Sequence, residues 1–121
     1  MTSVVHFEIL SDDPEKTSAF YREALGWEVK CWPGGEYWLA TTRPEGEPGI
    51  NGGFTGRQPG LSQPVINTVQ VDSLEDTTRK IAAAGGKRVR GPDKMPGVGI
   101  FSYFADPDGT LFGVIQPEEK G

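Results

Sequence analysis

His6 is the one histidine in a chain of 121 residues, and it stands two positions before Glu8 in the stretch V-V-H-F-E. An imidazole and a carboxylate at i and i+2 share a face if the stretch is a strand, because successive side chains alternate. Such a pair could work as a general acid/base couple, the carboxylate tending to raise the imidazole pKa. Alternatively, it could line a polar pocket, or form a weak and incomplete metal shell with water. One histidine rules out a two-histidine, one-carboxylate iron triad within a single chain. The lone Cys31 allows neither an internal disulfide nor a multi-cysteine zinc site. With no histidine or basic cluster beside it in sequence, it reads as a small apolar or edge residue. Asp106 and Asp108 sit in A-D-P-D-G-T, where turn formation accounts for both: Pro107 pre-sets φ, the carboxylates bond nearby N–H groups, and Gly109 tolerates positive φ.

These candidates need a scaffold, and composition bounds it. The length suits one compact domain with a core, and 36% apolar with 24% charged residues reads as an ordinary soluble globular protein. A formal charge of −5 without clustered Lys and Arg argues against nucleic acid. No run approaches the roughly 18 apolar residues of a membrane span. Met1-Thr2-Ser3 lacks the opening of a signal peptide, so a cytoplasmic location is expected.

Alternation over 4–10 predicts a first strand with Val5, Phe7 and Ile9 on one face and His6, Glu8 and Leu10 on the other. Asp13 as cap, Pro14 at the first helical position and Gly26 as stop predict a helix. Its residues Thr17, Phe20, Tyr21, Ala24 and Leu25 are expected to pack on the Val5/Phe7/Ile9 face. Strands follow at 27–32 and 36–42, joined by Pro33-Gly34-Gly35, and at 49–54. The segment 55–64, T-G-R-Q-P-G-L-S-Q-P, has linker composition. Beyond it come a strand at 65–71, a helix at 74–84 capped by Ser73 with Asp76, and strands at 87–90, 99–105 and 110–116.

A shift of 60 residues superposes Asp12 on Asp72, Glu15 on Glu75, Ala24 on Ala84, Gly26 on Gly86 and Gly53 on Gly113. Caps, helix ends and strand order align under the same shift, so the chain reads as a duplicated βαβββ unit. The expected organisation is a single domain over 1–121, with module one at 4–54, linker at 55–64 and module two at 65–117.

The D-P-D-G hairpin near the C-terminus, V-V-H-F-E near the N-terminus and A-F-Y-R-E-A-L-G-W between them resemble the vicinal oxygen chelate superfamily over Val4 to Gln116. That superfamily includes glyoxalase I, extradiol dioxygenases and bleomycin- and fosfomycin-resistance proteins. The resemblance implies an α+β fold, in which two tandem βαβββ modules form a curved mixed sheet around a cup, commonly packed or completed through a homodimer.

In metal-dependent members four inward positions hold the ion, one on the first and one on the last strand of each module. Carried over residue by residue, these fall on His6, Gly53, Ile66 and Gly113, of which His6 alone could bind a metal. The resemblance therefore implies a metal-independent binder of a small molecule, with His6, Glu8, Trp32, Trp38, Gly53, Ile66, Thr68 and Gly113 as ligand-lining candidates and no cofactor. The alternative is a glyoxalase-type lyase or isomerase for a small oxo-compound, using residual Zn²⁺, Ni²⁺, Mn²⁺ or Fe²⁺ at His6 with Glu8. Gln116 lies three residues past the last-strand position and is expected to face away from it. Gly52, Gly53 and Gly113, inside strands, invite either curvature or room for a ligand as their reason.

Overall fold

The computed structural model describes residues 2–118. Its order is β1 (Ser3–Ser11), α1 (Pro14–Leu25), β2 (Glu28–Cys31), β3 (Tyr37–Thr41), β4 (Asn51–Gly56), β5 (Val65–Gln70), α2 (Leu74–Ala83), β6 (Lys87–Met95), β7 (Gly99–Ala105) and β8 (Leu111–Pro117). Two compact units result, His6–Ile66 and Met1–Val5 with Asn67–Gly121. Each sets one helix against one face of a mixed four-stranded sheet, so the fold is α+β and the repeated element order is βαβββ.

In the first unit the strand order is β2-β3-β4-β1, with β1 parallel to β4 and the other pairs antiparallel. The start of α1 follows from its caps. Lys16 N–H donates to Asp13 Oδ1 at 3.2 Å, Pro14 occupies the first turn, and Gly26 closes the helix at φ 75°, a conformation that favours glycine. The core here is aromatic: Tyr21 stacks on Trp27 with centroids 5.0 Å apart and tilts against Phe54 at 5.5 Å, while Phe7 lies 5.5 Å from Trp27. Phe7 and Ile9 are on the helix side, as the alternation predicts. Phe20 and Leu25 correct the expectation, being 60% and 58% exposed. Phe20 projects about 100° around the helix from Tyr21 and meets it only edge-on. Trp27, just past the helix, takes the place on Tyr21 expected for Leu25.

The second unit has the order β5-β8-β7-β6, with β5 parallel to β8. Its core is mainly aliphatic: Val71, Leu74, Phe104 and Val114, with Val69, Ile81, Ile100 and Phe112 packed around them. Burial of each large side chain contributes about 1.5–3 kcal/mol. Ser73 Oγ accepts from Asp76 N–H at 3.1 Å, and Gln116 Oε1 accepts from Leu74 N–H at 2.9 Å. Gln116 thus faces the helix, as its offset from the last-strand position predicts. Asp106 Oδ1 accepts from Asp108 and Thr110 N–H groups at 2.9 and 3.0 Å, which is the turn chemistry expected of D-P-D-G.

Two expected boundaries move. The strand expected at 87–90 runs on to Met95, because register shifts around Arg90 break the alternation that would have revealed its length. The expected linker begins two residues late, since β4 reaches Gly56. Within it Gln58 bridges Leu61, whose side chain is 3% exposed. One leucine among Gly, Pro, Ser and Gln anchors a segment whose composition reads as a spacer.

Candidate functional site

Strand pairing decides which side chains share a face. In the first unit His6 pairs with Asn51 and Glu8 with Gly53 on β4. Across the antiparallel β3–β4 pair, Tyr37 stands opposite Thr55, Trp38 opposite Phe54 and Leu39 opposite Gly53. Directly paired residues project to the same side, so Trp38 joins Phe54 on the helix side. His6, Glu8, Tyr37, Leu39 and Gly53 occupy the opposite, helix-free face.

On that face the His6 Nε2 and the Tyr37 hydroxyl lie 2.8 Å apart, their rings nearly parallel at 20°. Either the phenol donates to a neutral imidazole or Nε2–H donates to the phenol oxygen, according to tautomer. Burial lowers the His6 pKa from its ordinary 6.5, because desolvation penalises the imidazolium. The net shift thus runs opposite to the rise expected from a neighbouring Glu8, which is itself buried at 8% exposure. A neutral imidazole is suited to hydrogen bonding and to accepting a proton.

Tyr37 also explains Gly53. A β-carbon there would overlap the hydroxyl end of Tyr37, at Cε1, Cζ and the phenol oxygen, so the side chain lies over the glycine from a diagonal position on the next strand. The second unit repeats the device. Thr68 pairs with Gly113, and Phe101 stands diagonal to it, opposite Ile115. A β-carbon on Gly113 would lie 2.6 Å from Phe101 Cζ and 3.0 Å from Thr68 Oγ1. Neither curvature nor an empty ligand space is needed to explain Gly53 and Gly113: aromatic rings from the adjacent strand fill the space. Gly52 makes the same accommodation for Phe7 on the helix side.

The remaining expected residues are placed as follows. Ile66 is fully buried and Thr68 is 5% exposed. Trp32 follows β2, 49% exposed, with its backbone N–H on the Tyr37 carbonyl at 2.7 Å. Trp38 lines a cleft on the helix side and is not brought together with His6 and Glu8. Asn51 holds the loop between β3 and β4, its Oδ1 accepting from Thr42 N–H at 3.0 Å. Cys31 is exposed on the edge strand β2.

At the four positions that hold the ion in metal-dependent proteins of this architecture, the side chains are therefore an imidazole bonded to a phenol, two glycines covered by rings, and an isoleucine. Among the described residues no group of three or more His, Cys, Asp or Glu converges. This donor set does not fit a four-ligand divalent site. Among the described residues no helix is long and apolar enough to cross a membrane.

Sequence reasoning missed Tyr37 as the partner of His6. The 60-residue shift locates first and last strands, but Tyr37 and Phe101 are 64 residues apart. The β3–β4 connection is four residues longer than the β7–β8 connection, counted between Leu39↔Gly53 and Tyr103↔Gly113. Reading the shift separately for each hairpin would have shown two aromatics diagonal to two glycines.

Duplicated βαβββ units, each with an aromatic ring of its third strand laid over a glycine of its last strand on the helix-free face, define a class of small α+β modules. The sequence matches the description Glyoxalase/Bleomycin resistance protein/Dioxygenase superfamily over residues 3–114, and the chain belongs to this family. It is 30% identical over 113 residues to the protein named "Putative glyoxylase CFP32" of Mycobacterium tuberculosis, covering 91% of this chain and 42% of that protein. The chain thus spans less than half the length of the curated relatives it matches. Among solved structures it is similar to a glyoxalase/bleomycin resistance protein/dioxygenase superfamily member from Vibrio splendidus 12B01 (TM-score 0.65, 23% identity, covering 96% of this chain and 99% of that one). It is also similar to methylmalonyl-CoA epimerase from Mycobacterium tuberculosis (TM-score 0.65, 13% identity, covering 97% and 89%). At these identities the structural likeness speaks for the fold.

Proposed function

We infer that the chain binds a small, partly aromatic molecule bearing a hydrogen-bonding oxygen, on the helix-free face of the first unit and without a metal ion. The observation that carries this reading is Tyr37, whose ring covers Gly53 while its hydroxyl bonds His6. A ring over a glycine and a neutral donor–acceptor pair suit stacking with one directed hydrogen bond. Glu8 lies on the same face, two residues along β1 from His6. The reading includes a homodimer, for which the exposed side chains of Phe20, Leu25 and Trp32 are the candidate contacts. Sedimentation at micromolar concentration reads that state directly.

A second reading, a metal-dependent lyase of glyoxalase type, is favoured by the name of the curated relatives and by His6. The donor set at the four positions weighs against it. The two readings separate in a thermal-shift screen of phenols, aromatic ketones and aromatic drugs, run in chelator and again with Zn²⁺ or Ni²⁺. The binding reading expects stabilisation in chelator that is lost in Tyr37→Ala. Stabilisation that needs the metal and is lost in His6→Ala would contradict it.

A further inference from the structure

The cleft that Trp38 lines lies within the first unit, away from the His6–Tyr37 face. It has a volume of about 450 Å³ and is lined by Pro14, Gly35, Glu36, Trp38, Thr55, Gly56, Arg57 and Gln58. Its size falls within the range of about 300–1,000 Å³ typical of small-molecule sites. Trp38 points here because it pairs with Phe54 and so projects to the helix side. The rings around it are engaged with one another: Tyr21 with Trp27 and Phe54, and Trp27 with Phe7. Among the described residues, the Trp38 indole has neither a ring partner nor a hydrogen bond, and the Glu36 carboxylate has no ion-pair or hydrogen-bond partner. Gly35 and Gly56 meet nothing within 4 Å at the β-carbon position, so the space beside them is open.

Charge decides what could enter. Arg57 is the one cation of the lining, and it is already spent on Asp12, at 2.8 Å. The first amides of α1 are covered by the Asp13 carboxylate through Lys16 N–H. The carboxylates of Asp12 and Asp13 border the same helix start and repel an anion. What remains unpaired is an aromatic face and a carboxylate two residues apart on the β2–β3 hairpin and β3. That combination attracts a cation, held over the ring by its quadrupole and paired with the carboxylate.

We propose that the cleft formed by Trp38, Glu36, Gly35 and Gly56 is a second binding site, for a small organic cation of the ammonium or quaternary-ammonium class. It is distinct from the His6–Tyr37 face, since Trp38 and Tyr37 are consecutive on a strand and project to opposite sides. Choline is the probe, titrated to millimolar concentration into ¹⁵N-labelled protein while the Trp38 indole and the Gly35 and Gly56 amides are followed.

Saturable movement of all three signals is the expected result. Glu36→Gln should weaken the apparent affinity about fivefold, the scale of an exposed cation–π or ion-pair contribution. Trp38→Leu should abolish the movement at Gly35 and Gly56 while the rest of the spectrum stays in place. Tyr37→Ala should leave the titration unchanged, which separates this site from the first. The proposal is overturned if the three signals do not move, if the Gly35 and Gly56 amides move in Trp38→Leu as they do in the unsubstituted chain, if Glu36→Gln leaves the apparent affinity unchanged, or if acetate rather than choline shifts Gly56 and Arg57.

Discussion

The two units use one backbone plan to present two different chemistries. On the helix-free face of the first, Glu8 pairs with Gly53, and Tyr37 covers that glycine while bonding His6; at the corresponding positions further along the chain, Thr68 pairs with Gly113, Phe101 covers it, and β5 carries Ile66 where β1 carries His6. Register and diagonal ring placement are the same, but an imidazole–phenol hydrogen bond in one is an isoleucine and a phenyl ring in the other. The cores differ too, with Phe7, Tyr21, Trp27 and Phe54 in the first and mainly Val and Leu around Phe104 in the second. A duplicated scaffold therefore holds the strand pairing constant while a few side chains divide the labour between polar and apolar halves.

Removing the central ring of each core tests whether the units are equally dependent on them. Phe54→Ala and Phe104→Ala, both at positions with no exposure, should each cost about 3–5 kcal/mol in denaturant unfolding. A loss below about 1 kcal/mol in either would show that unit to be held elsewhere.

The glycines sharpen the comparison next. Gly53→Ala and Gly113→Ala should each cost about 1–3 kcal/mol by overpacking against Tyr37 and Phe101. Combining Gly53→Ala with Tyr37→Ala, or Gly113→Ala with Phe101→Ala, should recover part of the loss, because the paired substitutions share one contact. Additive losses in both cycles would mean that the rings are not what the glycines accommodate.

Tyr37→Phe keeps the ring and removes the hydroxyl, making the first half resemble the second. The expected cost is about 0.5–1.5 kcal/mol, that of one hydrogen bond, with ligand affinity in the screen falling as well. Unchanged stability and affinity would break the assigned role of the His6 partner.

The smallest effect is in pH. The folded-state pKa of His6 lies below its unfolded value of 6.5, so the unfolded chain takes up the proton first as pH falls. Stability is complete above the unfolded pKa and declines as pH drops from there toward the folded pKa. His6→Gln should flatten that decline while leaving the second unit's core intact. A decline identical in the variant would assign it to the carboxylates.

Much of this arrangement was legible in the sequence because local backbone chemistry leaves little choice. Asp13-Pro14 and Gly26 bound a helix, and D-P-D-G makes a hairpin whichever fold surrounds it. The 60-residue shift correctly pairs Glu8/Gly53 with Thr68/Gly113, since parallel pairing of first and last strands ties those positions together. What stayed hidden depends on contacts across strands or on packing competition. Tyr37 meets His6 only through a diagonal contact across the β3–β4 pairing. Trp38, its neighbour, goes to the opposite face. Phe20 and Leu25 look like core residues until Trp27 takes the space beside Tyr21, and Leu61 looks like part of a spacer until its side chain is found buried.

In the proposed reading a phenol–imidazole pair stands where a metal would otherwise be held. Calorimetric titration of chelator-stripped protein with Zn²⁺, Ni²⁺, Mn²⁺ and Fe²⁺, beside His6→Ala, tests it most directly. The expected result is no binding at micromolar concentration that depends on His6. Micromolar or tighter binding of any of these ions, lost in His6→Ala, would contradict it and turn the search toward lyase and isomerase assays.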